Sequence, residues 1–518
     1  MKLPSRLCKV GLLGIALVTV ASTVPAETRP GSEDVTLKSL ALNGATFTPG
    51  FSPGRTSYTA HVPHSVDSVT VTAELARPDT TGRAEALRAR LTVNGGPAAS
   101  GEASPPVRLE VGRNLVPIEV TTQDGKTKTT YVVKVIRSYP TPTWVNVAEA
   151  CPWLPRDSAG ELVFKGRMWL FGGYTPEIIN DVWCSADGTH WTQVGTIPNT
   201  SGVNIPVNFV HDDRMWVSCA DGALFSSPDG VDWTLATNEA TWRSRYAAGG
   251  VAFADKMWVM GGLKEGCLFN DVWSSPDGVH WTLEVEEAPW SKRQIFAMAA
   301  VHDNKMWLLG GGITVYHPFK AYNDVWCSPD GARWTQVTPQ APWTPRIWAA
   351  SAVYKNRLWV LGGFRAEPAW ENFNDVWYSA DGANWNQLIT ETVWSPRHEV
   401  SAYVFDDKLW VVAGNAWPLQ QDVWCLDVPG LVFLTQPVIE EFVTAGYCYR
   451  ARADFNQSGG KVRYRLLENP AWLDIEPETG LIKGAPNALG DFPITIEAYD
   501  DAGETARQTY TLHVVPVG

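Results

Sequence analysis

Basic residues are in the minority in this 518-residue chain, with 42 lysines and arginines against 55 aspartates and glutamates. The formal net charge is −13 and the pI near 5.2. Such a balance does not suit a nucleic-acid binder, whose phosphates demand basic patches; it mainly favours solubility. Beyond residue 26 no run is long and apolar enough to hold the chain in a bilayer. There is no nucleophile–base pair, no metal-ligand spacing and no phosphate loop that commits the chain to catalysis, so no cofactor or metal is expected. Cysteine is scarce, eight in all, and Cys8 falls in the N-terminal segment. The remaining cysteines are odd in number, so one thiol stays unpaired or pairs outside the chain.

Residues 1–26 carry Lys2, Arg6 and Lys9, an apolar run from Val10 to Val20 and a small-residue site at Val24-Pro25-Ala26. That is the pattern of a secretory signal, too short for a stable membrane span. The mature chain is therefore expected to be secreted, extracellular or at the cell surface (or periplasmic), with no integral membrane segment. Cys184, Cys327 and Cys425 follow a Val-Trp pair and are expected as small buried side chains. Cys219 and Cys267 are candidates to meet between neighbouring repeats.

Tryptophan, by contrast, is abundant. Twenty-two of the 26 indoles fall at four recurring positions between Trp144 and Trp424. One position comprises Trp169, Trp216, Trp258, Trp307, Trp359 and Trp410, at spacings of 47, 42, 49, 52 and 51 residues. Periods of this size with short β-branched and aromatic runs predict propeller blades of four strands each, six in number. In the fourth copy Ala297–Val301 leads to Met306–Leu309 and Gly310-Gly311. Asn323-Asp324-Val325-Trp326 and a Ser-Pro-Asp-Gly turn then precede Trp334-Thr335-Gln336-Val337. The last copy lacks its fourth-strand tryptophan, and Trp144-Val145-Asn146-Val147 mimics the missing piece. Residues 144–147 are therefore predicted to close the last blade, which removes an exposed edge.

These residues resemble the kelch family of β-propellers over about 144–428, through Gly172-Gly173, Gly261-Gly262, Gly310-Gly311, Gly362-Gly363 and the downstream tryptophans. The second copy departs from that pattern: Cys219-Ala220 replaces Gly-Gly and Leu224-Phe225 replaces Val-Trp. The Ser-x-Asp-Gly-x-x-Trp turn, as in Ser185 to Trp191, is similar to a shortened Asp-box of sialidase-type propellers. Residues 35–137 resemble the cadherin-like β-sandwich of bacterial surface proteins, through Leu37-Lys38-Ser39-Leu40, Phe51-Ser52-Pro53, Tyr58, Gly112-Arg113-Asn114, Asp124-Gly125 and Tyr131–Val135. Residues 433–516 resemble the Ig-like domains of secreted bacterial proteins, through Trp472–Ile475, Thr479–Gly484 and Ala498–Gly503. Neither sandwich carries the acidic clusters that true cadherins use for calcium. The resemblances imply an all-β fold, a six-bladed kelch-like propeller between two β-sandwiches, and a recognition or adhesion role.

Loops after the second and fourth strands of a meander emerge on one face, where loops vary and ligands bind. Trp-x-x-Arg recurs there, giving Arg156, Arg245, Arg293, Arg346 and Arg397. These guanidiniums could ring the channel and take carboxylate, phosphate or sulfate groups. Alternatively each buttresses its own blade through a neighbouring carboxylate or carbonyl. Long loops add Tyr316, His317 and Tyr322, then Arg365 and Trp370, then Trp417, aromatics that stand outside the repeat. They suit sugar rings or a protein partner, or else pack on one another. A carbohydrate or extracellular protein ligand is thus expected at this face. A propeller followed by an Ig-like domain also resembles the galactose oxidase group, whose copper needs histidines and tyrosines together; only His317 and His398 reach the face here. A sialidase-like hydrolase, or a sugar epimerase around Arg397, His398 and Glu399, are the enzymatic alternatives.

Overall fold

The computed structural model of the chain describes residues 35–76, 89–122, 124–238, 240, 242 and 245–517; the signal-like segment 1–26 lies outside them. Every element among the described residues is a β-strand. In the N-terminal unit, Ser57–Val62, Lys128–Arg137, Gly112–Thr121, Arg90–Val93 and Gly96–Ala98 form a five-stranded sheet. Leu37–Leu42 pairs with Val71–Leu75, and Ser68–Val69 with Val107–Arg108. Side chains alternate along these strands: Tyr131, Val133 and Val135 point into the core together with Val116, Ile118 and Val120.

Residues 144–427 build six four-stranded antiparallel sheets, the blades of a propeller. The first consists of Gly160–Phe164, Arg167–Tyr174, Ile178–Ser185 and Trp191–Thr196. The last contains Ser401–Phe405, Lys408–Val412 and Val423–Asp427, and its outer strand is Trp144–Ala148 from before the first sheet. Trp144 lies opposite Leu426, and Val145 opposite Cys425. Each innermost strand touches those of its two neighbours, and Gly160–Phe164 touches Ser401–Phe405, so the ring closes.

The indoles explain why this sequence makes this ring. The second-strand indoles donate Nε1–H to the carbonyl five residues earlier, as Trp359 does to Tyr354 at 2.9 Å. Four of them lie under the hairpin glycine of the next blade, and Trp410 under Gly188 of the first. A Cβ at Gly382 (φ +70) would stand 2.1 Å from the Trp307 ring, so the turn must be glycine. Outer-strand indoles bond their own hairpin, as Trp385 Nε1–H does to the Gly382 carbonyl at 2.9 Å. The indoles of Trp-x-x-Arg have no hydrogen-bond partner and are held by packing alone. Each meets an outer-strand indole edge-on, Trp343 with Trp385 at 5.8 Å and Trp394 with the borrowed Trp144 at 4.4 Å. Burying one indole is worth about 4–6 kcal/mol by area transfer, against about 1–3 kcal/mol for a charged hydrogen bond. Per side chain, burial of an indole therefore outweighs any single charged hydrogen bond beside it.

The last blade has no hairpin to cover Trp359. Phe455 of the C-terminal sandwich takes that place, stacked on Trp359 at 5.5 Å and 13°. Arg357, buried beneath it, donates to Asp454 at 2.6 and 3.1 Å. The sandwich itself pairs Glu440–Phe442, Thr505–Val515, Gly490–Tyr499 and Arg463–Glu468 in one sheet, and Tyr447–Arg450, Leu481–Gly484 and Leu473–Glu476 in another. The cysteines among the described residues are free, Cys219 and Cys267 included. Cys184 and Cys425 are buried as expected for small side chains, while Cys327 is half-buried.

Candidate functional site

The five repeated arginines do not present their guanidiniums to a ligand. Arg156, Arg245, Arg293, Arg346 and Arg397 are each at most 4% exposed. Each grips an aspartate with both terminal nitrogens: Asp181, Asp271, Asp324, Asp375 and Asp422 in turn. Arg346 reaches Asp375 at 2.6 and 2.9 Å and adds the Gly362 carbonyl at 2.7 Å. The same aspartate accepts the third-strand indole N–H, as Asp375 does from Trp377 at 2.7 Å. Of the two readings the sequence left open, these contacts fit internal buttressing: fork, carboxylate and indole lock the loop face of five of the six blades. The sequence held the signal for this. Asp-Val-Trp accompanies every Trp-x-x-Arg, and the second blade loses arginine, aspartate and indole together, with Val203, Ala223 and Phe225 in one apolar cluster.

With the chain anchored by each arginine, the next residues turn across the channel mouth. Ser158, Ile205, Ala247, Phe296, Trp348 and Glu399 all adopt left-handed φ between 46° and 58°. Ile205 donates its N–H to the Ser158 carbonyl at 2.8 Å and Glu399 to that of Trp348 at 2.8 Å, so this ring is stitched blade to blade.

Two features emerge on the fifth, sixth and first blades. The first is aromatic. Phe364 is buried at the centre, with Trp348 stacked on it at 5.6 Å and Trp370 and Trp417 edge-on at 5.7 Å each. Trp370 and Trp417 lie at 28° to one another, 6.1 Å apart, yet stay 69% and 50% exposed. His398 adjoins them, 5.3 Å from Trp417 and 5.4 Å from Trp348. Trp348 is partly buried, packed on the small core of Ile347, Phe364 and Ala366, and forms the inner side of this cluster.

The second feature is acidic. Asp157 follows Arg156 in the first blade, and Glu399 follows His398 in the last; both are buried and hydrogen-bonded to each other. Ser158 Oγ lies 2.9 Å from Asp157 and 2.7 Å from Glu399. Asn415 Nδ2 donates to Asp157 at 2.8 Å. Burial, with the Asp157 charge beside it, pushes the Glu399 carboxyl up to about 8; burial also raises Asp157. Burial and mutual repulsion therefore both disfavour two charges on this pair. Burial lowers His398 to about 4, so the imidazole is neutral. The nearby Tyr246 phenol is pushed up to about 12 by burial and by both carboxylates.

The other expected residues lie elsewhere or are engaged. The Tyr316 hydroxyl donates to the Gly266 carbonyl, joining two loops. His317 stacks on Phe319 at 4.1 Å. Tyr322 lies against the Arg293 guanidinium at 3.9 Å. Arg365 pairs with Glu371 at 2.5 Å across the short hairpin whose tip carries Trp370. Asp157, Ser158, Asn372 and Asn415 have no counterpart among the residues singled out from the sequence.

The chain is similar to known families along most of its length. Residues 34–138 match a family model described as "Cadherin-like beta sandwich domain" and residues 445–515 one described as "Putative Ig domain". A "Putative membrane protein" of Evansella cellulosilytica is 35% identical over 106 residues, 20% of this chain and 14% of that protein. This chain therefore spans only a small part of that relative's length. Among the described residues no helix is long and apolar enough to cross a membrane. Residues 143–425, more than half of the chain, match the model described as "DUF6242 beta propeller domain", and the chain belongs to that β-propeller family.

Proposed function

We propose that this is a secreted or cell-surface recognition protein whose six-bladed, kelch-type ring binds a carbohydrate through Trp370 and Trp417, with the sandwiches as spacers or adhesion modules. The observation that carries the reading is the pair of half-parallel indoles, left largely exposed although Phe364 and His398 beneath them are buried. Apolar sugar faces stack on such surfaces, and the part-exposed Arg365–Glu371 pair puts polar groups beside them. A signal-like leader and two extracellular-type sandwiches support the location. Hydrolysis is less well supported. The arginines that a sialidase-like site would need are engaged with aspartates. Asp157 and Glu399 are in direct hydrogen-bond contact, whereas paired glycosidase carboxyls stand about 5–9.5 Å apart.

The test is glycan-array binding by the full chain, followed by titration of the best hit. Losing one anchoring indole costs about 2 kcal/mol, roughly 30-fold in Kd, so Trp417→Ala and Trp370→Ala should each show it. An array without hits, or hits indifferent to both changes, would overturn the sugar reading. Capture of a protein ligand sensitive to the same changes would keep the face and change the ligand class.

A further inference from the structure

We propose that Asp157, His398 and Glu399 hold a divalent first-row transition-metal ion where the first and last blades meet, independently of the sugar reading. One ligand atom from each of the three lies within 4.8 Å of the other two. Bonds of about 2.0–2.2 Å put tetrahedral donors roughly 3.3–3.6 Å apart, so closing the widest pair by up to about 1.5 Å gathers all three.

Three further observations point the same way. The two carboxylates are buried side by side with no ion pair to either among the described residues, and Arg156 and Arg397, one residue before Asp157 and His398, are each taken up by another aspartate. A buried like-charged pair needs either a shared proton or a metal. His398 is 4% exposed, and its Nδ1 lies 2.7 Å from Asn372 Oδ1, the ring's one hydrogen bond among the described residues. Donating the Nδ1 proton to Asn372 leaves Nε2 as a bare acceptor and fixes the ring, the outer-shell arrangement that orients metal-bound imidazoles. Asn415 and Ser158 likewise hold the carboxylates from behind. One imidazole nitrogen with two carboxylate oxygens suits Zn²⁺, Mn²⁺ or Co²⁺ better than Ca²⁺ or Mg²⁺, which prefer all-oxygen shells. Three protein ligands leave at least one position open to water or ligand.

The experiment is calorimetric titration of the full chain, stripped with chelator and carrying no histidine tag, with Zn²⁺ and with Co²⁺. Stoichiometric binding is expected, with visible d–d bands for Co²⁺ and a raised Tm. Asn372→Ala should weaken binding about 10–100-fold, and Glu399→Gln by at least as much. Glu399→Gln keeps the Ser158 contact and removes an acid from the pair, so its metal-free Tm should match or exceed that of the parent, which separates lost binding from lost folding. Should that variant fail to fold, Asn372→Ala alone decides. The proposal is overturned if no stoichiometric binding occurs, or if metal is held equally well in both variants, as exposed His190 and His280 would hold it.

Discussion

Replacing Arg346 tests what the repeated arginines do. Its side chain is fully buried, and its fork meets both oxygens of Asp375, whose own side chain is 23% exposed. Arg346→Val would leave that carboxylate facing Trp377 without its cation. Breaking a buried pair from one side costs about 3–5 kcal/mol, and the lost Gly362 contact adds to it. The second blade shows how the site is built without charge: Val203, Ala223 and Phe225 stand where the fifth has Arg346, Asp375 and Trp377. The triple variant Arg346→Val/Asp375→Ala/Trp377→Phe should therefore lose less than half as much as the single one, although it changes more atoms, because no buried group is left unpaired. Urea unfolding followed by tryptophan fluorescence and far-UV circular dichroism measures both. If the single variant costs under about 1 kcal/mol, as exposed ion pairs do, or if the triple variant is the weaker, the buttressing account fails. Unchanged stability with lost binding of an anionic ligand would restore the channel-facing reading.

Two more measurements bear on the ring. Burial alone would raise the Asp375 carboxyl, but the hydrogen bonds and charge of Arg346 outweigh it and hold it below the usual range. A depressed folded-state pKa gives stability that is complete above the unfolded value, about 4, and lost as pH falls through the folded one. The stability gap between the parent and Asp375→Asn should therefore narrow from about pH 5 downward; a gap constant in acid unfolding would contradict this. Gly382 and Gly166 share nearly the same φ, +70 and +69, but only Gly382 has a ring against it. Gly166→Ala should cost the backbone term of about 1–2 kcal/mol, and Gly382→Ala at least about 1–3 kcal/mol more for the clash. Equal losses in thermal unfolding would mean that the hairpin shifts freely over Trp307.

The all-β fold was legible because the indole spacing is a property of the chain itself: each blade repeats the same contacts at the same offsets. The channel mouth was less so. Sequence offsets place Arg346 on a face, but whether its fork turns outward or back to Asp375 depends on a partner 29 residues away. Joint loss of both in the second blade was the available clue. Trp348 stands outside the repeat, and its left-handed φ of 53° places it on Phe364 and His398, a contact no spacing announces. The acid pair was illegible for a different reason. Asp157 stands one residue past Arg156 and Glu399 two past Arg397, in blades that adjoin only once the ring has closed, and other blades carry Tyr246 or Ile347 where Asp157 stands.

That closure has a consequence for biosynthesis. Ser158 and Glu399 are 241 residues apart, yet they share one hydrogen bond. During translation the first blade emerges with an aspartate at its rim and nothing opposite. The partner glutamate, its histidine neighbour and Asn415 arrive only with the last blade, which also waits for Trp144 to come back as its outer strand. The seam is thus the final part of the propeller to exist, and a truncated or mispaired ring has no such site. Occupancy of the seam would report that the ring has been completed.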